Sequence, residues 1–362
     1  MTNEQVSQLI ESFRNDKSSI LVDDLIEQVV AVPEDSQESL WAVNILESAS
    51  VIKERCGIEK AIVLLSEAYK EWPITYPSSY LHKTSILKQL CMLQIEAQRH
   101  SDAHATMNRY IYNALKQVSA TSNVKKMRYF SFRCFSDYAL ADIKKEQISL
   151  AHPREFNDPL DTILVWWLND SIQNGSPGLQ LEFKLLMKKA VEHIKIRCMI
   201  GSKYTNEAGE VKERTIEELS ILMWAHYAKS HTGFCVEYEL DKTKLCMSYR
   251  PEEDKADLIQ PIKYVSNINI DDDPSMEMAL FHKSDFWEYE NEMRLCSFDS
   301  LNCDEYPALS CPGSIKAIYL GVKCSDKNRR DMERVVADKD IPLYQMCVDP
   351  QNLTRLKKIR IG

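Results

Sequence analysis

Glycine is scarce in this chain of 362 residues. Only nine occur, and none takes the spacing of a phosphate-cradling loop between strand and helix, which argues against nucleotide hydrolysis of the P-loop kind. Long apolar runs are missing too. No stretch approaches the roughly 18 uninterrupted residues that a membrane-crossing helix needs, so no membrane association is expected. Met1 to Arg14 lack the cationic start and apolar run of a secretory leader, and a cytoplasmic location is expected. Basic residues are outnumbered, 45 against 54 acidic, and a net charge of −9 gives no long-range pull towards a phosphate backbone. Nucleic acid is left as an acceptor, or as a partner of a local patch such as Lys357, Lys358 and Arg360. That run also reads as the solvated side of a terminal strand. The eleven cysteines include no C-x-x-C pair and read as buried reduced thiols rather than a disulfide scaffold or zinc site.

What remains is an ordinary folded composition, 44% hydrophobic and 27% charged, in a chain long enough for two cores. Between Ile58 and Trp72 the residues Ile58, Ala61, Ile62, Leu65, Ala68, Tyr69 and Trp72 recur every three or four positions, the stripe of an amphipathic helix. Pro73 and Pro77 end that pattern. A second helix is predicted from Ser79 to His100. A third has Asp102 as its N-cap and carries Met107, Tyr110, Ile111, Ala114, Leu115 and Val118 on one face. Helices of this length joined by short turns, over about 38–120, resemble tetratricopeptide units, although an ordinary bundle fits as well. The resemblance implies a surface for a protein partner or for self-association. The helical region is set at 1–124.

From Lys125 to Gly362 the pattern is that of an α+β domain. Strands are predicted at Met127 to Phe135, Gln147 to Ala151, Gly233 to Leu240, Met293 to Phe298 and Ile315 to Leu320, and helices at Ser136 to Lys145, Leu179 to Lys195 and Ile216 to Lys229. No regular βαβ alternation appears, so a mixed, mainly antiparallel sheet is expected at 125–362.

Four stretches here carry polar groups that a plain core does not need. Phe132, Arg133, Cys134 and Phe135 put a cation in an aromatic strand. Phe156, Asn157, Asp158, Pro159 and Asp161 follow a strand end. Met223, Trp224, Ala225, His226, Tyr227, Ala228, His231, Gly233 and Cys235 span a helix and the next strand. Trp287, Glu288, Tyr289, Glu290, Asn291, Glu292, Met293 and Arg294 enter another strand. This ordered series, aromatic-Arg, F-N-D-P-x-D, M-W-x-H-Y-A-x-x-H-x-G-F-C and W-x-Y-E-x-E-x-R, resembles a bacterial domain-of-unknown-function family over about 128–362. Such a resemblance carries a fold more safely than a reaction.

Each motif has a plain reading beside the functional one. Asn157 and Asp158 before Pro159 make a good turn, yet Asp158 and Asp161 at a strand end could also hold ribose hydroxyls or a metal ion. His226 and Tyr227 are neighbours on a helix and point about 100° apart, so one of them faces a given pocket. His231 lies five residues beyond His226, a poor spacing for zinc but suited to a substrate contact. Glu290, Glu292 and Arg294, with Glu288 before them, fall two apart and would share one strand face, either on a solvated edge or projecting into a cleft.

An arginine in an early strand, an aromatic centre and a late Glu-x-Glu are similar to the pattern of ADP-ribosyltransferases. That resemblance implies NAD as a substrate, with Arg133 supporting its phosphates or ribose, Tyr227 central, Glu292 gripping the nicotinamide ribose, and Glu290 orienting the acceptor. The Ser-Thr-Ser strand of that family is absent. The resulting expectation is a defence or toxin-like effector that cleaves NAD or transfers ADP-ribose while its helical region senses a partner. A metal-dependent nuclease using Asp158, Asp161, Glu290 and Glu292 is a second expectation, and a non-catalytic nucleotide- or partner-binding module a third. No motif demands a resident cofactor or metal.

Overall fold

The computed structural model describes residues 1–15, 20–35, 37–73, 79–120, 126–156, 158, 161, 178–205, 210–241, 255–267, 275–300, 308–311 and 313–362. Among the described residues no helix is long and apolar enough to cross a membrane. Two packed units emerge, one helical and one built on a sheet.

The helical unit begins with α1 (Asn3–Arg14), α2 (Val22–Val30), α3 (Glu38–Cys56), α4 (Ile58–Glu71), α5 (Ser79–Glu96) and α6 (His100–Ala120). Thr2 opens α1 with a reciprocal cap: its hydroxyl accepts from the Gln5 amide while the Gln5 side chain accepts from the Thr2 amide. Gly57, with φ of 91°, turns the chain between α3 and α4. The stripe on α4 is buried as its spacing demands, and Trp72 stacks on Trp41 at 4.2 Å. Asp102 is not the cap of α6. The helix starts two residues earlier, and Asp102 sits in its first turn, where a carboxylate meets the positive helix end and takes Arg99 at 2.7 Å. A later helix, α8 (Leu179–Val191), packs against α5 and α6, with Phe183 edge-on to Tyr110 at 6.0 Å. The helical unit therefore takes in a segment from the second half of the sequence, around 178–192.

The other unit holds β1 (Lys126–Arg133), β2 (Gln147–Ser149), β3 (Ile194–Gly201), β4 (Lys203–Thr205), β5 (Val211–Glu213), β6 (Phe234–Asp241), β7 (Lys255–Pro261), β8 (Lys263–Val265), β9 (His282–Ser284), β10 (Glu292–Asp299), β11 (Ala308–Ser310), β12 (Gly313–Leu320), β13 (Leu343–Asp349) and β14 (Asn352–Arg360). Eight of them form one sheet in the order β14-β13-β12-β6-β1-β3-β10-β7. Every neighbouring pair in it is antiparallel except β12 with β13, the mixed, mainly antiparallel arrangement expected. The short strands pair as β2 with β11, β4 with β5, and β8 with β9.

Side chains alternate across this sheet, so register decides what reaches each face. One face packs on α7 (Asp137–Lys145) and α11 (Asp326–Val336), through Met127, Tyr129, Met199, Phe234, Val236, Met293 and Leu295. The opposite face carries Phe130, Ile200 and Cys235 and is covered by α9 (Ile221–Tyr227). Phe130 pairs with Ile200 and Ile200 with Glu292, which makes one row across three strands on the α9 side. A short helix, α10 (Met276–Phe281), leads into β9 and completes the elements around the site.

Candidate functional site

β10 begins at Glu292, not before it. Glu290 ends a 3-10 turn, Asp285–Glu290, and Asn291 is left-handed with φ of 46°. Glu290 and Glu292 therefore do not share a strand face by periodicity, and Glu288 is exposed rather than in their row. The turn nevertheless brings Glu290 back towards Glu292, because Lys283 on β9 donates to both, at 2.8 Å to Glu290 and 3.0 Å to Glu292. Glu292 and Arg294 do lie two apart on one strand face, and the Arg294 Nε donates to Glu292 at 2.7 Å.

The late acidic segment is turned inward. Arg294 is 0% exposed, Glu290 2% and Glu292 4%. Arg294 also donates to both oxygens of Asp161, at 2.6 and 2.5 Å, and to the Leu280 carbonyl at 2.7 Å. Lys283 lies 3.5 Å from Asp161. Tyr227, from the end of α9, donates its hydroxyl to Glu290 at 2.5 Å, and the Glu292 amide donates to Tyr264 at 2.7 Å. Three carboxylates thus face two cations, an excess of one negative charge when all are ionised.

This cluster forms one side of a cavity of about 340 Å³, whose other walls hold the apolar and aromatic Phe130, Phe132, Phe156, Met223 and Ile200, with Glu155, Arg197 and His226 beside them. Among the residues singled out from sequence, Tyr227, His226, Asp161, Glu290 and Glu292 line it, and Arg294 stands behind Asp161 and Glu292.

Burial and pairing pull the acids in opposite directions. Burial pushes Glu290 above the ordinary carboxylate range, and Lys283 and the Tyr227 hydroxyl only partly offset it. Burial would raise Glu292 too, but Arg294 and Lys283 outweigh it and hold Glu292 down to about 2. Asp161 is raised, since burial outweighs Arg294. The Cys198 thiol is pushed well above its ordinary value by burial and by the charge of Glu292. Burial and Glu290 together raise the Tyr227 phenol. Two nearby carboxyls with opposed shifts suit a division into proton carrier and fixed anion.

Other expected residues lie elsewhere. Arg133 pairs with Phe234 and so faces α7, where it donates to Asp142 at 2.7 Å; Asp142 also accepts from the Ser149 hydroxyl at 2.6 Å. It is one strand position out of step with Phe130 and Phe132, which face the cavity. Arg133 therefore does not meet Tyr227 or Glu292. Asp158 caps a bend, its carbonyl accepting from the Asp161 amide at 3.0 Å, and is not a cavity residue. Asn157 lies outside the described residues.

His231 serves a corner. Lys229, Ser230 and His231 are all left-handed, with φ of 47°, 54° and 68°, and the His231 carbonyl accepts from the Lys323 amide at 2.9 Å. Burial lowers the imidazole's pKa, with help from Lys323, and the ring stacks 6.4 Å from Trp224. Gly233 follows because a Cβ there would stand 2.2 Å from the Arg133 carbonyl and 2.9 Å from that of Ala228. Gly233→Ala is expected to lower stability by about 1–3 kcal/mol, at the upper end because the obstacle is backbone. Urea titration of the purified chain measures it, and an unchanged midpoint would show that the corner yields.

Sequence reasoning missed Lys283 and Cys198. A signal for Lys283 was available: carboxylates that turn inward require a counter-cation, and Lys283 lies only seven residues before Glu290.

Residues 223–295 match the model of a family described as a protein of unknown function, DUF2971. The matched span takes in Tyr227, Lys283, Glu290, Glu292 and Arg294, so most of the cluster lies within the matched segment, while Asp161 lies outside it. No curated protein and no solved structure matches the chain.

Proposed function

We propose that the cavity takes the nicotinamide–ribose end of NAD and cleaves its glycosidic bond, passing ADP-ribose to water or to an acceptor. The observation that carries this reading is the meeting of Glu290, Glu292 and Tyr227 at one side of an aromatic-lined cavity. Bond cleavage builds positive charge on the ribose. An anion already fixed in a water-poor wall stabilises that charge without reorganising, and Glu292, held ionised by Arg294 and Lys283, is such an anion. Glu290 then takes the proton of the attacking hydroxyl, a role for which a carboxyl raised above its ordinary range by burial is suited. The aromatic walls offer faces for the departing ring.

Arg133 has no part in this version, since it is paired with Asp142 on the other face of the sheet. The cations of the site are Lys283 and Arg294. They also weigh against a divalent-metal nuclease, because the oxygens that a metal ion would bridge are already bridged by these two side chains.

Incubation of the purified chain with NAD is expected to release nicotinamide, followed by chromatography of the product. Intact NAD after prolonged incubation, with and without candidate protein or nucleic-acid acceptors, would remove the catalytic reading.

A further inference from the structure

Five charged side chains form one ion-paired cluster at a cavity wall that Glu155 and Arg197 also line, and the balance of the five is uneven. Asp161, Glu290 and Glu292 oppose Lys283 and Arg294, so full ionisation leaves one uncompensated negative charge in a site from which water is largely shut out. Such an excess is costly, and either a proton or a cation removes it. We infer that the cavity selects a cationic ring, such as the pyridinium of oxidised NAD, by exchanging it for a proton carried on Glu290. The inference rests on the reading that the nicotinamide end enters here.

Geometry puts the exchangeable proton on Glu290. Asp161 receives two bonds from the Arg294 guanidinium, and Glu292 receives one from Arg294 and one from Lys283. Glu290 has no cation of its own. It shares Lys283 with the other two acids, and its second oxygen is met by a phenol. The groups facing it are Tyr227 and His226 from α9, Lys283 from β9, Tyr289 beside it, Glu292 from β10 and Tyr264 from β8. None of these except Lys283 brings a fixed positive charge. Burial raises Glu290 in the same sense.

The consequence is a coupling between charge recognition and base formation. With the cavity empty, Glu290 holds its proton and the cluster is neutral. When a pyridinium enters, Glu290 releases that proton to solvent, the anion is compensated by the ligand, and the carboxylate becomes the base that the cleavage step requires. The neutral dihydronicotinamide ring of reduced NAD provides no such compensation. Discrimination between the two redox forms follows from one charge.

Isothermal titration of the full chain with 1-methylnicotinamide and with nicotinamide, each in two buffers of different ionisation enthalpy, tests this. The cation is expected to bind at least about tenfold tighter than the neutral ring. It should release roughly one proton per site, and the neutral ring none. Glu290→Gln should abolish both the preference and the release. An unchanged urea-unfolding midpoint of Glu290→Gln guards against a fold defect in that variant. Equal affinities, cation binding without proton release, or no cation binding would each overturn the inference. Nicotinamide release from NAD together with equal affinities would sink the inference and leave the catalytic reading standing. Proton-linked cation binding without any cleavage would do the reverse.

Discussion

Arg294→Met is expected to lower the unfolding free energy by about 3–5 kcal/mol, the largest stability effect of any single change in the cluster. The methionine fills much of the space but leaves Asp161 and Glu292 buried without the guanidinium that meets them both. Lys283 is then alone among three carboxylates. Arg294→Lys should recover little, because one ammonium cannot reach Asp161, Glu292 and the Leu280 carbonyl together. A double change, Arg294→Met with Glu292→Met, should cost less than the single one, since a more apolar replacement removes an unpaired charge. The pH dependence is a further check. Glu292 is depressed to about 2, so its contribution is present above the usual carboxylate pKa and is lost as the pH falls through the acid range. Asp161 and Glu290 are raised, so theirs runs the other way, present at low pH and lost as the pH rises through their folded-state values. Arg294→Met should flatten the Glu292 part of the profile. A melting temperature unchanged from the parent, over the whole acid range, would show that the cluster is not what holds β10 against its neighbours.

Much of this was legible in the residues because the signals were local and periodic. The stripe from Ile58 to Trp72 could belong only to a helix, and the alternation of Met293 and Leu295 with Glu292 and Arg294 made the two faces of β10 visible. Which way that charged row faced was not legible, because a solvated edge and a cleft fit the same spacing and burial of the row depends on partners distant in sequence. What was not legible depended on parity and on distant pairing. Arg133 reads as a neighbour of Phe132, yet adjacent strand residues point to opposite faces, and the β1–β6 register sends it to Asp142. Glu290 reads as a strand residue by its spacing from Glu292, whereas the left-handed Asn291 separates a 3-10 turn from the strand. Asp161 meets Arg294 across 133 positions, a contact that no local pattern announces. β3 was hidden for another reason: Ile194 to Gly201 follows a helix so closely that the helical pattern was extended over its first residues.

Glu290→Gln is expected to cut nicotinamide release by about 10²–10⁴-fold while leaving the fold in place. The amide keeps the shape of the carboxyl and still accepts from Tyr227, so the packing of α9 on the 3-10 turn should survive. Since Asp161 and Glu292 are matched by Arg294 and Lys283, and the amide stands in for the protonated form of Glu290, stability should be nearly unchanged or rise slightly. What is lost is the ability to accept a proton from the attacking hydroxyl. Glu292→Gln differs in kind. It removes the fixed anion and also leaves Arg294 short of a partner, so activity and stability should fall together. The two variants therefore separate a chemical role from a structural one, and the pair is read by measuring nicotinamide release and urea unfolding on the same preparations. Full activity in Glu290→Gln would remove Glu290 from the reaction. A fall in activity that merely tracks lost stability in both variants would instead make the whole cluster a structural ion network beside an unused cavity.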